Sequence, residues 1–334
     1  MMHWNIKPDS PAWHAIRAKN VGSSEVAGLV ARQAGWGMSR YTLYQVKAGI
    51  IPPPPVDDSP GSLVWFGKRL EPTIGPMAAE LNGWDIVPGP YATDDQCAGS
   101  GASLDFLIKQ PGPEELRLGF VGPGVLETKN IGLVQFFRDW TGGEPPAHII
   151  AQLQHLLGCS GCAWGAVAPL VNGNEIPVYR YTARPALIDG IRHEVTEFWA
   201  SVRDRRPPPI DGSESTADTL KTLFPPRPAD AAVDLTGDNE MPGLAAAWLI
   251  AQANSKASEA AFQEIKNQIA FKMAGRKHAV CSGYEIRGTF TGESDGSRAG
   301  DLPPDKIIGA RKASLWWKVR EVFVSKHELG ARAA

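Results

Sequence analysis

Glu127, Thr128 and Lys129 follow directly on the apolar run Gly124-Val125-Leu126. Residues two apart on a strand point to the same side of a sheet, so the Glu127 carboxylate and the Lys129 ammonium share a face. Upstream, Ser103 to Ile108 is a second apolar segment with one carboxylate, Asp105, embedded in it. Hydrolysing a phosphodiester requires an ionised water, neutralised charge around phosphorus and help for the departing oxygen. One or two Mg²⁺ ions supply all three. Mg²⁺ prefers carboxylate oxygens and keeps some of its waters, which makes Asp105 and Glu127 the ligand candidates. Lys129 beside the attacking water favours its hydroxide form. The Thr128 carbonyl, lying between the two, is a further candidate ligand.

These residues need elements to hold them. The spacing of Leu70, Ile74, Met77 and Leu81 predicts a helix with those four on one face. Glu71 falls about 100° from Leu70 around that helix, at the rim of the apolar stripe, and is the third acid. Pro146 to Leu157 predicts a second helix, with Gln152 at the rim of the stripe formed by Ile149, Ile150, Leu153, Leu156 and Leu157. From there Gln152 could orient the water or Lys129. Val21 to Val30 predicts a helix capped by Ser23 or Ser24, with Glu25 in its first turn. Pro111 to Gly124 reads as the long tip of a hairpin joining the two acid-bearing strands. Ala163 to Val171 and Pro177 to Thr182 read as strands, and Leu187 to Val202 as a helix. The succession predicts a mixed α/β core.

The chain has 334 residues, enough for one large domain or two ordinary ones. Its 43% hydrophobic and 21% charged residues exclude a disordered chain. The formal net charge of −2 argues mildly against nonspecific nucleic-acid binding, yet it allows a local basic groove. No run of 18 apolar residues is present, so no transmembrane helix is expected. Nor does the start of the chain resemble a signal peptide, and a cytoplasmic location is expected. Four cysteines, Cys97, Cys159, Cys162 and Cys281, are too few and scattered for a disulfide scaffold. Cys159 and Cys162 have CxxC spacing, but with no second close pair they read as buried small residues rather than cluster ligands.

Pro225 to Ala231 reads as a linker. Residues 1–225 are expected to form one domain and 231–334 a C-terminal region. In the latter, Gly243 to Met273 predicts a long helix with a stripe of Phe262, Ile265, Ile269 and Met273, stopped at Gly275. Two strands follow, around Tyr284 to Phe290 and Leu315 to Val319, joined by a polar loop from Gly292 to Asp305.

The order Glu71, Asp105, Glu127-x-Lys129, Gln152 resembles the PD-(D/E)XK nucleases. More closely it is similar to the YqaJ-type viral recombinase exonucleases, the lambda-exonuclease-like family. Trp13-His14-Ala15-Ile16-Arg17 followed by Gly22-Ser23-Ser24-Glu25-Val26 is similar to that family's opening pattern. Gly67-Lys68-Arg69-Leu70-Glu71 resembles its G-K-x-x-E helix, and Ala151-Gln152-Leu153-Gln154 its A-Q-x-Q helix. Residues 11 to 225 carry these motifs in one unbroken order. Two departures stand out: Leu104 where the family has proline, and a slightly long stretch from Asp105 to Glu127.

The resemblance implies a restriction-endonuclease-like α/β core in which Asp105, Glu127 and the Thr128 carbonyl bind Mg²⁺, with Mn²⁺ as a substitute and Glu71 close by. Lys129 activates the nucleophile and Gln152 supports the site. Arg17 and Ser24 sit where the family binds the 5′-phosphate of the digested strand. A serine at a helix start offers a hydroxyl and free N–H groups to an anion, and arginine adds a bidentate fork. The implied activity is double-strand DNA exonuclease, 5′-to-3′, leaving 3′ single-stranded tails. The implied setting is a phage or prophage. The implied partners are duplex DNA ends and a single-strand annealing protein of the RecT or Red-beta kind, with a homotrimer as the assembly. A PD-(D/E)XK endonuclease of repair or restriction, and a non-catalytic DNA-binding module on the same fold, are the alternatives.

Overall fold

A computed structural model describes residues 1–30, 37–140, 143–225, 235, 237–274, 278–281, 284–291 and 314–321. The chain separates into two compact units, Met1–Pro228 and Ala229–Ala334. The first unit runs β1 (Met2–His3), α1 (Pro11–Ala18), α2 (Ser23–Val30), α3 (Arg40–Lys47), α4 (Leu63–Asn82), β2 (Asp85–Pro88), β3 (Tyr91–Thr93) and β4 (Gly101–Ser103). It continues through β5 (Phe106–Gln110), α5 (Pro113–Arg117), β6 (Gly124–Ile131), α6 (Leu133–Asp139), α7 (Ala147–Ser160), β7 (Trp164–Val171), β8 (Tyr179–Thr182), α8 (Pro185–Arg203) and α9 (Glu214–Leu223).

Its main sheet is five-stranded and mixed, in the order β2-β5-β6-β7-β8. β2, β5 and β6 are successive antiparallel neighbours, β7 pairs with β6 in parallel, and β8 closes antiparallel to β7. The expected mixed α/β core is therefore present. The tip between β5 and β6 carries the short helix α5. Its Glu115 is fully buried, accepting from Gly112 N–H at 3.1 Å and from Arg180 Nε at 2.5 Å.

Alternation along the strands gives the sheet two apolar faces. Leu107, Val125 and Val167 pack with Ile149, Leu153, Leu156 and Leu157 of α7. Phe106, Ile108, Leu126, Ala166 and Ala168 pack with Ala78 and Ala79 of α4. The site strand β6 is thus sandwiched between α4 and α7. Helix α7 stops at Gly161, whose φ of +73° is a left-handed value that costs glycine little, and the chain turns directly into β7. A third cluster joins Val26 and Leu29 of α2, Leu43 and Tyr44 of α3, and Ile191, Val195 and Phe198 of α8. A separate small sheet has the order β1-β3-β4.

Helix α4 departs from the expected face. It buries Ile74, Gly75, Ala78 and Ala79, while Met77 and Leu81 are exposed. The cause is closeness to the sheet. A Cβ on Gly75 would stand 2.2 Å from Phe106 Cε2, so that position admits only glycine, and the small Ala78 and Ala79 pack beside it. Glu71 precedes Ile74, Gly75 and Ala78 by three, four and seven residues, which puts it on this inward face rather than at the rim of the predicted stripe. Pro72 and Pro76, both inside the helix, lie on its exposed face.

In the second unit, α10 (Met241–Met273) ends at Ala274, which takes the left-handed conformation itself, with φ 44°. The expected stop, Gly275, and the loop Gly292 to Asp305 lie outside the described residues. Of the predicted stripe, Met273 is buried, whereas Phe262 and Ile265 are exposed. The two predicted strands are β10 (Tyr284–Thr291) and β11 (Ser314–Glu321), paired antiparallel, with an additional strand, β9 (His278–Cys281), on the other side of β10. Among the described residues no helix is long and apolar enough to cross a membrane.

Candidate active site

Strand register brings the two central acids together. Phe106, the first residue of β5, pairs with Leu126 of β6, and Asp105, just before it, lies at the end of this ladder within electrostatic range of Glu127. Thr128 then locks Asp105 in place. Its N–H and its hydroxyl both donate to Asp105 Oδ2, at 2.8 and 2.9 Å. Nothing in the local sequence around Thr128 shows this clamp, which follows only from the strand pairing.

Glu127 lies at the centre, 2% exposed. Its Oε1 is shared by two donors: Lys129 Nζ in an ion pair, and Gln152 Nε2 at 2.6 Å. Gln152 reaches it from α7, the helix covering that face of the sheet. Glu71 comes from α4 on the opposite layer and stands within electrostatic range of Asp105, Glu127 and Lys129.

Electrostatics follow from three carboxylates and one ammonium in a water-poor pocket. Burial, then the Asp105 charge, pushes the Glu127 carboxyl up to about 7. Glu71 is pushed up to about 7 by burial and by Asp105, against the pull of Lys129. Burial raises Asp105 as well, opposed by Lys129 and by the two Thr128 donors. Burial disfavours the Lys129 ammonium, but the charges of Glu127 and Asp105 outweigh it and hold its pKa above the usual lysine value. Fully ionised, the cluster lacks two positive charges, and a divalent cation supplies two. The donor set, hard carboxylate oxygens, fits Mg²⁺. Among the described residues no three Asp, Glu, His or Cys side chains gather tightly enough to cage an ion by themselves. Asp105 and Glu127 with waters make the fitting set, since Mg²⁺ usually keeps several of its waters.

Arg17 and Ser24 lie at the junction of α1 and α2. Ser10 caps α1, and Arg17 in its last turn stacks over the Trp13 ring at 4.2 Å. Trp13 Nε1 donates to Ser103 Oγ at 3.1 Å, which ties α1 to the strand leading into Asp105. The cap of α2 is Gly22, not Ser23 or Ser24: Glu25 N–H and Val26 N–H both donate to the Gly22 carbonyl at 3.0 Å. Glu25 Oε2 accepts the Gly22 N–H at 2.7 Å, so no cap hydroxyl is needed. Ser23 is buried and Ser24 exposed, both as first-turn residues whose N–H groups have no partner within the helix.

The remaining candidates for chemistry are structural. Cys97, Cys159 and Cys162 are free and buried. Burial pushes the Cys159 thiol up to about 12. His155 is buried, with Nε2 3.2 Å from the Gly101 carbonyl, and burial lowers its pKa.

Residues 12–163 match the family model described as the YqaJ-like viral recombinase domain. No curated protein sequence matches the chain. Among solved structures, the alkaline exonuclease LHK-Exo of Laribacter hongkongensis is similar at 20% identity, with a TM-score of 0.48 over 64% of this chain and 100% of that one. LHK-Exo in complex with dAMP is similar at 21% identity and the same TM-score, over 64% of this chain and 97% of that one.

Proposed function

From the YqaJ-like viral recombinase domain that the chain carries over residues 12–163, we propose that it is a Mg²⁺-dependent exonuclease acting on double-stranded DNA ends. The observation that carries this reading is the buried Glu127 carboxylate, shared by Lys129 and Gln152, with an Asp105 clamped by Thr128 within its electrostatic range. Such a group, raised to about 7, is an unfavourable thing to bury unless a cation meets it.

Asp105 and Glu127 would hold the ion, with the Thr128 carbonyl as an added ligand and Glu71 close by. When bound, Mg²⁺ supplies charge for the phosphodiester and for an ionising water. Lys129 keeps its proton and stabilises a hydroxide beside it. Gln152 orients Glu127 and, through it, Lys129. Arg17 and the start of α2 with Ser24 hold the 5′-phosphate of the strand being digested. Residues 1–225 form the nuclease domain, and 231–334 a C-terminal helix-and-sheet region. The polarity is 5′-to-3′, leaving 3′ tails for a single-strand annealing protein of the RecT or Red-beta kind. The setting is phage or prophage recombination in the bacterial cytoplasm, with a trimer around the DNA as the assembly.

The test is digestion in Mg²⁺ of linear duplexes with 5′-phosphate or 5′-hydroxyl ends, beside a covalently closed circle. Linear DNA should be degraded, the phosphorylated form faster, and the circle left whole. Chelation, Glu127→Ala or Lys129→Ala should abolish degradation. A cut circle would give the endonuclease reading instead, and intact linear DNA would remove the nuclease reading altogether.

A further inference from the structure

The start of α2 presents a difficulty for any anion bound there, because Glu25 occupies its first turn. Glu25 Oε2 takes the Gly22 N–H at 2.7 Å. A Cβ on Gly22 would stand 3.5 Å from that oxygen and 3.9 Å from Arg17 Nη2. Carboxylate, helix start and guanidinium therefore crowd into one small volume. Left alone, the Glu25 charge would cancel much of the attraction that Arg17 and the helix terminus offer a phosphate.

Lys47, the last residue of α3, enters this volume with its side chain only 5% exposed. Its Nζ lies 3.0 Å from Glu25 Oε2 and donates to the Arg17 carbonyl at 3.0 Å and the Asn20 carbonyl at 2.7 Å. An ammonium has three donors, and here all three are occupied. The lysine cannot swing out to meet the phosphate. It stays inside, neutralising Glu25 and holding the backbone that carries the Arg17 side chain. With Lys47 present, the local sum over Arg17, Lys47 and Glu25 is one positive charge; without it, the sum is zero.

We propose that Lys47 is a positioning residue that keeps the Arg17 and Ser24 subsite selective for a phosphorylated 5′ end, by cancelling Glu25 and fixing Arg17. The inference rests on the reading of that subsite as the 5′-phosphate pocket. A plain structural brace between α1 and α3 would use the same contacts, so the test must separate charge from scaffolding.

The experiment measures binding of the full chain to short fluorescent duplexes bearing a 5′-phosphate or a 5′-hydroxyl, by anisotropy, with Ca²⁺ replacing Mg²⁺ so that the readout does not depend on turnover. The quantity is the affinity ratio between the two ends. Lys47→Met should collapse a wild-type preference toward unity, a loss on the order of tenfold, the scale of one charge acting over several ångströms near a surface. Glu25→Gln is nearly isosteric and still accepts the Gly22 N–H, and it should widen the ratio about as much. The double variant should recover much of the preference. Equal weakening on both ends in Lys47→Met, or a ratio that narrows or stays level in Glu25→Gln, overturns the proposal while the pocket assignment stands. Should Lys47→Met fail to fold by thermal melting, Glu25→Gln decides alone. A wild type with no preference removes the pocket assignment and this inference with it.

Discussion

Replacing Lys129 by methionine separates two demands made on one carboxylate. Glu127 Oε1 is held by Lys129, and any cation that takes Glu127 as a ligand competes with that ion pair. A hydrogen bond to a charged group is worth about 1.5–3 kcal/mol. Its removal should therefore tighten divalent-ion binding by about ten- to a hundredfold, at 1.4 kcal/mol per decade. A second effect runs the other way at neutral pH. Lys129 lowers the pKa of Glu127, Asp105 and Glu71, so its loss lets protons compete more strongly for the same oxygens. The titration belongs at about pH 9, well above the value of about 7 that Glu127 and Glu71 reach with the lysine present. There, calorimetric titration of Mg²⁺ into Lys129→Met should show the tighter site. Cleavage should fall by at least about a hundredfold, the lower end of what a positioned proton-handling group contributes. A folded variant that binds Mg²⁺ no better than the parent at that pH would refute the competition. Retained cleavage would refute the role given to Lys129.

Three further outcomes follow from the packing and the charges. Gly75→Ala drives a methyl to 2.2 Å from Phe106 Cε2, and overpacking of this kind costs about 1–3 kcal/mol; because Glu71 lies one turn earlier on the same face, nuclease activity should fall along with the melting temperature, and a parent-like melt would contradict the close approach. The carboxyls of Glu71 and Glu127 both have folded-state values raised to about 7 from an ordinary 4.5, so the stability they contribute is complete below about pH 4.5 and lost as pH rises through 7. Melting of the metal-free protein should accordingly drop between pH 5 and 8, with less of a drop in Glu71→Gln and recovery on adding Mg²⁺; a flat profile would count against buried, ionising carboxylates. The Thr42 hydroxyl donates to the Ser215 carbonyl at 2.9 Å and meets Thr219 Oγ1 at 2.8 Å, joining α3 to α9 inside the protein. Thr42→Val should cost about 1–3 kcal/mol and speed amide exchange across Glu214–Leu223, whereas unchanged exchange would mean that α9 is held by other contacts.

Much of this site is legible in the chain itself. Strand parity alone puts Glu127 and Lys129 on one face, and the stripe of α7 leaves Gln152 at its rim; that Gln152 donates to Glu127 is visible only in the fold. What is not legible depends on contacts between distant segments. The stripe Leu70, Ile74, Met77, Leu81 is a sound apolar face in isolation, yet of its members α4 buries only Ile74, together with Gly75, Ala78 and Ala79, because at Gly75 the sheet comes too close for any side chain. Glu71 is thereby carried inward too. The Thr128 clamp on Asp105 requires the β5–β6 register, which no local pattern announces. Ser23 and Ser24 have the composition of a cap, but Glu25 satisfies Gly22 from inside the helix and moves the boundary by a residue. Lys47 has no motif at all. Its role comes from where the ends of α1 and α3 meet.

Every role proposed for this site requires Asp105 and Glu127 to share one divalent ion. Anomalous scattering from crystals soaked in Mn²⁺ locates that ion directly. One peak within coordinating distance of both carboxylates, absent in Asp105→Asn, is the predicted result. A fully active protein whose manganese lies elsewhere, or touches neither acid, would contradict it.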